Sequence, residues 1–379
     1  MPSPGRALVL TSSRDRGALA AVRALDRTGW HVGVGSPDAG GMVAASRSCR
    51  ETHDVPRPRG HLGDFVTAVQ EAVTRGGYDV VFGSGDDWMA ALAHCADAVP
   101  AVVAHPPADV ALAALDKAGL AHRAADAGLP VPRTRPATRE ALDGWAGPVV
   151  VKCRAHWQPG LRRKLRIEAR RYPDTDRARA RVRMLEEAGL EAVLQEPVDG
   201  EMVALVGLVH EERLLGRVQQ RALRLWPTPS GVTSRAVTVP VDEELAGAST
   251  RLLAGLGWSG LVQLQFLRDD DGALRLIDLN GRFFGSMALA CAAGPNLPDA
   301  WARQALGLPL PPLPDGGAGV RYLWAAGDLR RATVERRGGV LADCASVLRW
   351  FPGAVSSVWD PRDPGPTLAL TAERVGRRS

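Results

Sequence analysis

An aspartate, an asparagine and an arginine stand two residues apart at Asp278, Asn280 and Arg282, within the stretch LRLIDLNGRFFGS (Leu274 to Ser286). The stretch opens as an apolar strand and ends polar. Just ahead of it, Asp271-Gly272 is a two-residue hairpin signal, and GLVQLQFL precedes that signal. With those two residues as the loop, Asp270 pairs with Ala273, Gln265 lies opposite Asp278, and Gln263 lies opposite Asn280. Opposed residues share a face, and side chains alternate with period two. Gln263, Gln265, Asp278 and Asn280 therefore point one way. Phe266 with Ile277, and Leu264 with Leu279, point the other way into a core. The same register opposes Arg268 to Arg275 near the turn, an arrangement that needs solvent. Four oxygen-bearing side chains on one face suit a hard cation such as Mg²⁺, which takes oxygen ligands and shares its remaining positions with water and substrate phosphates. A solvated face of an antiparallel sheet would also be polar. Arg282 beside such a cluster is what a transferring phosphoryl group needs.

Lysine is the next signal. Of 47 basic residues only Lys117, Lys152 and Lys164 are lysine. Arginine is a planar fork, whereas lysine is a compact point charge on a flexible stem. A lysine in so arginine-rich a chain marks a place where a point charge is wanted, or is a chance survival. The net charge of +5 and pI of about 9.2 suit anionic substrates as a weak field argument. The densest basic run, Arg154 to Arg171, carries one tryptophan and no nucleic-acid motif. It reads as a solvated basic face or as a flap over phosphates, and a nucleic-acid binder is the weakest of the three readings.

These groups need a scaffold. A chain of 379 residues exceeds one ordinary domain. Residues 1–105 alternate strand and helix signals: RALVLTSS, then GALAAVRALDRTG, WHVGVGS, HLGDFVTAVQEAVTRGG, YDVVFGSG, DDWMAALAHCADAV and AVVAH. Such alternation implies a parallel sheet with helices on its faces. The first strand runs into TSSRDRG rather than G-x-G-x-x-G, so the domain is Rossmann-like without a dinucleotide fingerprint. Asp86 and Asp87, in GSGDDW, sit where the third strand ends, the usual place for ligands in open α/β sheets; helix capping explains them equally well. Residues 106–310 form a second unit, in which GPVVVKC is a strand carrying Lys152 and EAVLQEPVDGE is a strand running into a turn. The Pro/Gly-rich segment Leu306 to Gly319 reads as a linker into a tail, residues 311–379. Five scattered cysteines with no C-x-x-C pair fit a reducing compartment. With no signal peptide and no run of eighteen apolar residues, the expectation is a cytoplasmic protein that neither spans nor binds a membrane.

Asp116-Lys117, PVVVK (Pro148 to Lys152), LQEPVDGE (Leu194 to Glu201) and IDLNGR (Ile277 to Arg282) follow one another in an order and spacing that resemble an ATP-grasp enzyme. The resemblance covers about residues 1–310 and is nearest to the carboxylate–amine ligases with carbamoyl-phosphate-synthetase-like signatures. Each motif is weak alone; the ordered set ending in D-x-N-x-R is specific. It implies an α/β ATP-grasp fold: an N-terminal Rossmann-like preATP-grasp domain (1–105), central ATP-grasp subdomains (106–310, with 151–197 as a mobile cover over ATP) and a small C-terminal extension (311–379).

The resemblance also implies roles. Lys117 and Lys152 would touch ATP phosphates. Gln195, Glu196, Pro197 and Val198 would form the adenine hinge, and Glu201 would accept from ribose. Asp278 and Asn280 would bind Mg²⁺ (one or two ions, with Mn²⁺ as an alternative), and Gln265 would join them where many relatives carry an acid. Arg282 would stabilise charge on the γ-phosphate and the acyl phosphate. Arg221, Arg224 and Arg235 lie where relatives place basic residues that contact substrate or phosphate. The chain departs from the pattern after Lys152, where the usual glycine-rich loop is replaced by an arginine-rich segment. Arg162, Arg163 and Lys164 would there do with side chains what backbone N–H groups do elsewhere. The implied activity is an ATP-dependent ligase joining a small carboxylate to an amino-acid-like amine, releasing ADP and phosphate, as a monomer or homodimer without nucleic acid. A bicarbonate-using carbamoyl- or carboxyl-transfer enzyme and an inactive ATP-binding protein are the alternatives.

Overall fold

A computed structural model describes residues 4–155, 157, 169–228, 231–336 and 339–376. Sixteen strands and thirteen α-helices are described. The first sheet holds β1 (Arg6–Leu10), β2 (His31–Ser36), β3 (Glu51–Asp54), β4 (Val80–Gly83) and β5 (Val102–Val103), in the order β3-β2-β1-β4-β5 and parallel throughout. The three central strands are apolar and buried along nearly their whole length, as a sheet covered on both faces requires. Helices Arg16–Asp26, Leu62–Gly76 and Asp86–His94 make the crossovers. Asp15 starts the first of them by accepting hydrogen bonds from Gly17 N (2.8 Å) and Ala18 N (3.1 Å). The edge strand β3 reads ETHD, which has no apolar run to betray it.

The second sheet comprises β6 (Thr134–Pro136), β7 (Val149–Cys153), β8 (Arg170–Tyr172) and β9 (Ala192–Gln195), ordered β6-β9-β7-β8 and antiparallel. It packs on helix Thr175–Glu187 around an apolar cluster of its own, which includes Trp145, Val149, Val151, Leu185 and Leu194. The third and largest sheet contains β10 (Glu201–His210), β11 (Arg213–Trp226), β12 (Val232–Val239), β13 (Gly260–Arg268), β14 (Leu274–Asn280), β15 (Arg321–Leu323) and β16 (Ala354–Ser356), ordered β14-β13-β10-β11-β12-β15-β16. Residues beyond 310 thus add two strands to the edge of the central sheet. They then return to the first domain, where buried Asp363 accepts from Arg23 Nε (2.9 Å) and Ser46 Oγ (2.6 Å). Phe82, Phe283 and Trp301 join the first domain to the central one through ring contacts of 4.8 to 5.4 Å. Among the described residues no helix is long and apolar enough to cross a membrane.

The β13–β14 hairpin departs from the expected register in one place. Gln263 pairs with Asn280, Leu264 with Leu279 and Gln265 with Asp278, as expected. Nearer the turn Phe266 pairs with Leu276 and Arg268 with Leu274. Asp269 N donates to Ala273 O and Gly272 N to Asp269 O (both 3.0 Å), with Gly272 at φ +85°. The loop is therefore three residues, Asp270 to Gly272, closed by a left-handed glycine, and not the two residues Asp271-Gly272. A bulge at Ile277 absorbs the one-residue difference. It takes Ile277 out of the core, where Leu276 replaces it, and puts it on the polar side beside Asp278. The opposition of Arg268 to Arg275 disappears; Arg275 Nε instead donates to Asp269 Oδ2 (2.6 Å).

Candidate active site

A cavity of about 580 Å³ lies where the three sheets meet. Asp278, Asn280 and Arg282 form one side of it, together with Gln263 and Gln265 from β13. Lys117 and Lys152 approach from the second unit, and Asp86 from the first domain.

Each side chain is aimed by its local structure. Asp116 caps helix Lys117–Asp126 by accepting from Ala118 N (3.1 Å), and Arg154 grips the same carboxylate with both arms of its fork (2.9 and 2.7 Å). Burial alone would raise the Asp116 pKa, but the Arg154 hydrogen bonds hold it below the ordinary value. Lys117 N donates to Arg154 O (3.0 Å). The next side chain, Lys117, is 6% exposed and pairs with the Asp278 carboxylate. Lys152 alternates on β7 with the core residues Val151 and Cys153 and donates to Ile277 O at 3.4 Å, the carbonyl of the bulge. Burial, opposed by Asp278 and assisted by Lys117, lowers its pKa to about 8.

Arg282 donates from Nη2 to Asn280 Oδ1 (2.7 Å) and from Nε to Asp86 Oδ1 (3.0 Å). Burial works against its charge, but Asp86, Asp15 and Asp278 outweigh that and raise its pKa. Asp86 is thus the partner of Arg282 rather than a helix cap, since the cap position is Gly85. Asp87 pairs with Arg59 Nε at 2.9 Å.

On the hairpin, the oxygen donors facing the cavity are one carboxylate, Asp278, and the amides of Asn280, Gln265 and Gln263. Asn280 Nδ2 donates to Gln263 Oε1 (3.2 Å), which leaves the Asn280 oxygen on the Arg282 side. Among the described residues no cluster of three histidines, cysteines or acids could enclose a metal alone. This set fits Mg²⁺ held jointly with phosphate oxygens, the usual way that ion binds in phosphoryl-transfer sites. It does not fit an all-protein cage.

Several expected residues lie elsewhere. Arg235 does not face the cavity. It is buried under helices Ala325–Val334 and Val340–Trp350, donating to Asp328 Oδ2 (2.7 Å) and Ser346 Oγ (2.9 Å). Arg224 reaches the same Asp328 at 3.4 Å. Arg221 alternates with the wall residues Gln220 and Ala222, so it sits on the opposite face of β11, 3.5 Å from Glu201. Arg221 and Arg235 therefore leave the catalytic set, because strand alternation turns both away from the cavity. Glu201 is likewise off the wall. Gln195 to Val198 connect β9 towards β10 outside the wall; Gln195 Nε2 donates to Thr134 Oγ1 (2.9 Å), and Glu196 Oε2 accepts from Arg133 N (3.3 Å). Arg162, Arg163 and Lys164 lie outside the described residues. The structure adds Arg16, Gln220, Trp324 and Arg330 to the wall. Arg16 had one signal, its place in TSSRDRG at the end of β1; the other three carry no motif.

A family model described as "ATP-grasp in the biosynthetic pathway with Ter operon" matches residues 222–326. The chain has an ATP-grasp fold. Its fold is similar to that of an L-amino acid ligase from Bacillus licheniformis (15% identity, TM-score 0.62, covering 81% of this chain and 75% of that one). It is also similar to an N5-carboxyaminoimidazole synthetase from Staphylococcus aureus (11%, 0.64, 89% and 88%) and to a biotin carboxylase from Campylobacter jejuni (15%, 0.63, 83% and 74%). No curated protein sequence matches it. The first domain is Rossmann-like, and the cavity lies between the second and third sheets.

Proposed function

We propose that the chain is an ATP-dependent carboxylate–amine ligase that forms an amide bond through an acyl phosphate. The observation that carries this is the convergence of Lys117 and Lys152, the Asp278–Asn280–Gln265 oxygen set and Arg282 on one cavity. Lys117 and Lys152 are point charges for phosphate oxygens. The second sheet closes over the nucleotide, and Gln195 to Val198 and Glu201, which lie off the cavity wall, come to adenine and ribose on that closure. Mg²⁺ bound by Asp278, Asn280 and Gln265 together with the phosphates supplies charge neutralisation.

A carboxylate is a poor electrophile because its leaving group would be oxide. Its oxygen attacks the γ-phosphorus, the bond from γ-phosphorus to the β-bridging oxygen breaks, and ADP leaves. Arg282, fixed by Asp86 and Asn280, stands where charge builds on the transferred group. The amine then attacks the acyl carbon, the carbon–oxygen bond to phosphate breaks, and the departing phosphate is basic enough to take the amine's proton. No covalent enzyme nucleophile is required. Positioning and electrostatics carry the rate.

The test is incubation with Mg²⁺·ATP and mixed carboxylates and amines, reading ADP release and the masses of new products. An amide product with stoichiometric ADP supports the reading, and Asp278→Asn is expected to cut kcat/KM at least about 100-fold, the scale of losing a transition-state charge interaction. Release of ADP that depends on bicarbonate points instead to carboxyl or carbamoyl transfer. Thermal stabilisation by ATP with no turnover points to a binding protein.

A further inference from the structure

Not every cation in the cavity is answered by an acid. Lys117 pairs with Asp278, and Arg282 with Asp86. Arg16 and Arg330, both in the wall, have no carboxylate partner among the described residues. Arg16 is nonetheless held firmly. Its guanidinium stacks on the Trp324 ring, 3.8 Å from the centroid, and Nη1 donates to Tyr322 Oη at 3.0 Å. Tyr322 Oη in turn donates to Gly285 O at 2.8 Å. That uses one of the five N–H donors of the fork; the others have no partner among the described residues. The guanidinium also lies close against the D-x-N-x-R segment, because a Cβ placed on Gly285 would be 3.0 Å from Arg16 Nη2. Gln220 belongs to the same wall. It is 3% exposed, its Oε1 accepts from Ser286 Oγ (2.7 Å), and its Nε2 has no partner among the described residues. This part of the cavity therefore offers donors without acceptors beside an aromatic face, which is the complement of a planar anion.

We infer that Arg16 is the receptor for a second, non-reacting carboxylate, so that the amine substrate is an α-amino acid held through its carboxylate. The inference rests on the ligase reading above. The carboxylate that is activated belongs beside Arg282 and the phosphates. An acid farther along the same segment, at Arg16, has no phosphorus to attack, and its α-amino group is only two bonds from its carboxyl carbon. Gln220 Nε2 and Arg330 supply further donors to that carboxylate.

The test is calorimetry on the full chain saturated with Mg²⁺ and a non-hydrolysable ATP analogue, titrated with each proteinogenic L-amino acid and with the amide of any that binds. At least one amino acid is expected to bind saturably, with its amide weaker by about 10- to 100-fold, the range for losing hydrogen bonds to a charged group. Arg16→Met is expected to lower amino-acid affinity by a similar factor and leave nucleotide affinity unchanged. Gly285→Ala, which displaces the guanidinium without removing it, is expected to weaken amino-acid binding as well. Melting curves establish that both variants are folded. Equal binding of amino acid and amide, unchanged affinity in Arg16→Met, or no amino-acid binding with nucleotide bound overturns the assignment. A chain that binds no nucleotide overturns the ligase reading itself, whereas one that binds nucleotide without discriminating the carboxylate overturns only the role of Arg16.

Discussion

Replacing Lys152 by methionine is expected to stabilise the protein while it weakens ATP binding. Lys152 sits on β7 between core residues, and burial lowers its pKa from 10.5 to about 8. A lowered basic group binds fewer protons folded than unfolded, so its charge opposes folding. The penalty is fully present below about pH 8 and fades as pH rises towards 10.5. The gap between those values converts to about 3 kcal/mol at about 1.4 kcal/mol per tenfold change, an upper figure that remaining solvent contact reduces. Methionine keeps the unbranched stem without the charge, and Lys117 still faces Asp278. Urea denaturation of both proteins at pH 7 and pH 10.5 measures the difference. The variant should be the more stable at pH 7 by up to about 3 kcal/mol, and the gap should close at the higher pH. Affinity for Mg²⁺·ATP, read separately, should fall. A variant less stable than its parent at pH 7, or a gap that ignores pH, refutes the argument. A more stable variant with weaker ATP binding identifies the wild-type lysine as a functional group kept at a cost in stability, as active-site residues often are.

Asp328→Ala should cost about 3–5 kcal/mol of unfolding free energy, read by denaturant titration, because Asp328 is fully buried and its loss leaves Arg235 buried without its acid; nucleotide affinity of the folded protein should not move, since neither residue faces the cavity. Gly17→Ala should cost about 1–3 kcal/mol, because the new Cβ would sit 2.7 Å from Phe284 O and 2.8 Å from Phe283 C, backbone atoms that cannot step aside. A thermal melt within a degree of wild type would contradict that contact.

The parts of the site written into local pattern were readable, and those set by long-range packing were not. Period-two alternation and a DG turn were enough to put Gln263, Gln265, Asp278 and Asn280 on one face. The bulge was invisible, because an extra residue leaves no mark in a run such as LRLIDLN, where Leu276 and Ile277 are equally apolar. Lys117 and Lys152 stood out because lysine is scarce in this chain. Arg221 and Arg235 were misplaced for the opposite reason: arginine is everywhere, and without the register of β11 and β12 nothing said which arginines face inward. The alternation of residues 1–105 announced its parallel sheet, yet β3 is a polar edge and could not announce itself. The tail was least legible. Its short strands β15 and β16 are held by neighbours distant in sequence, and Trp324 enters the cavity only because β15 docks on β12.

One wall of the cavity is assembled from residue 16 and residues 324 and 330, and the Asp363 contacts with Arg23 and Ser46 tie the two regions together. A chain still being synthesised carries its first domain and both lysines long before it carries Trp324 and Arg330. Domains fold in order of emergence, so Lys117 and Lys152 have left the ribosome while Trp324 and Arg330 are still to come. The wall around Arg16 is therefore among the last parts of the cavity to be completed.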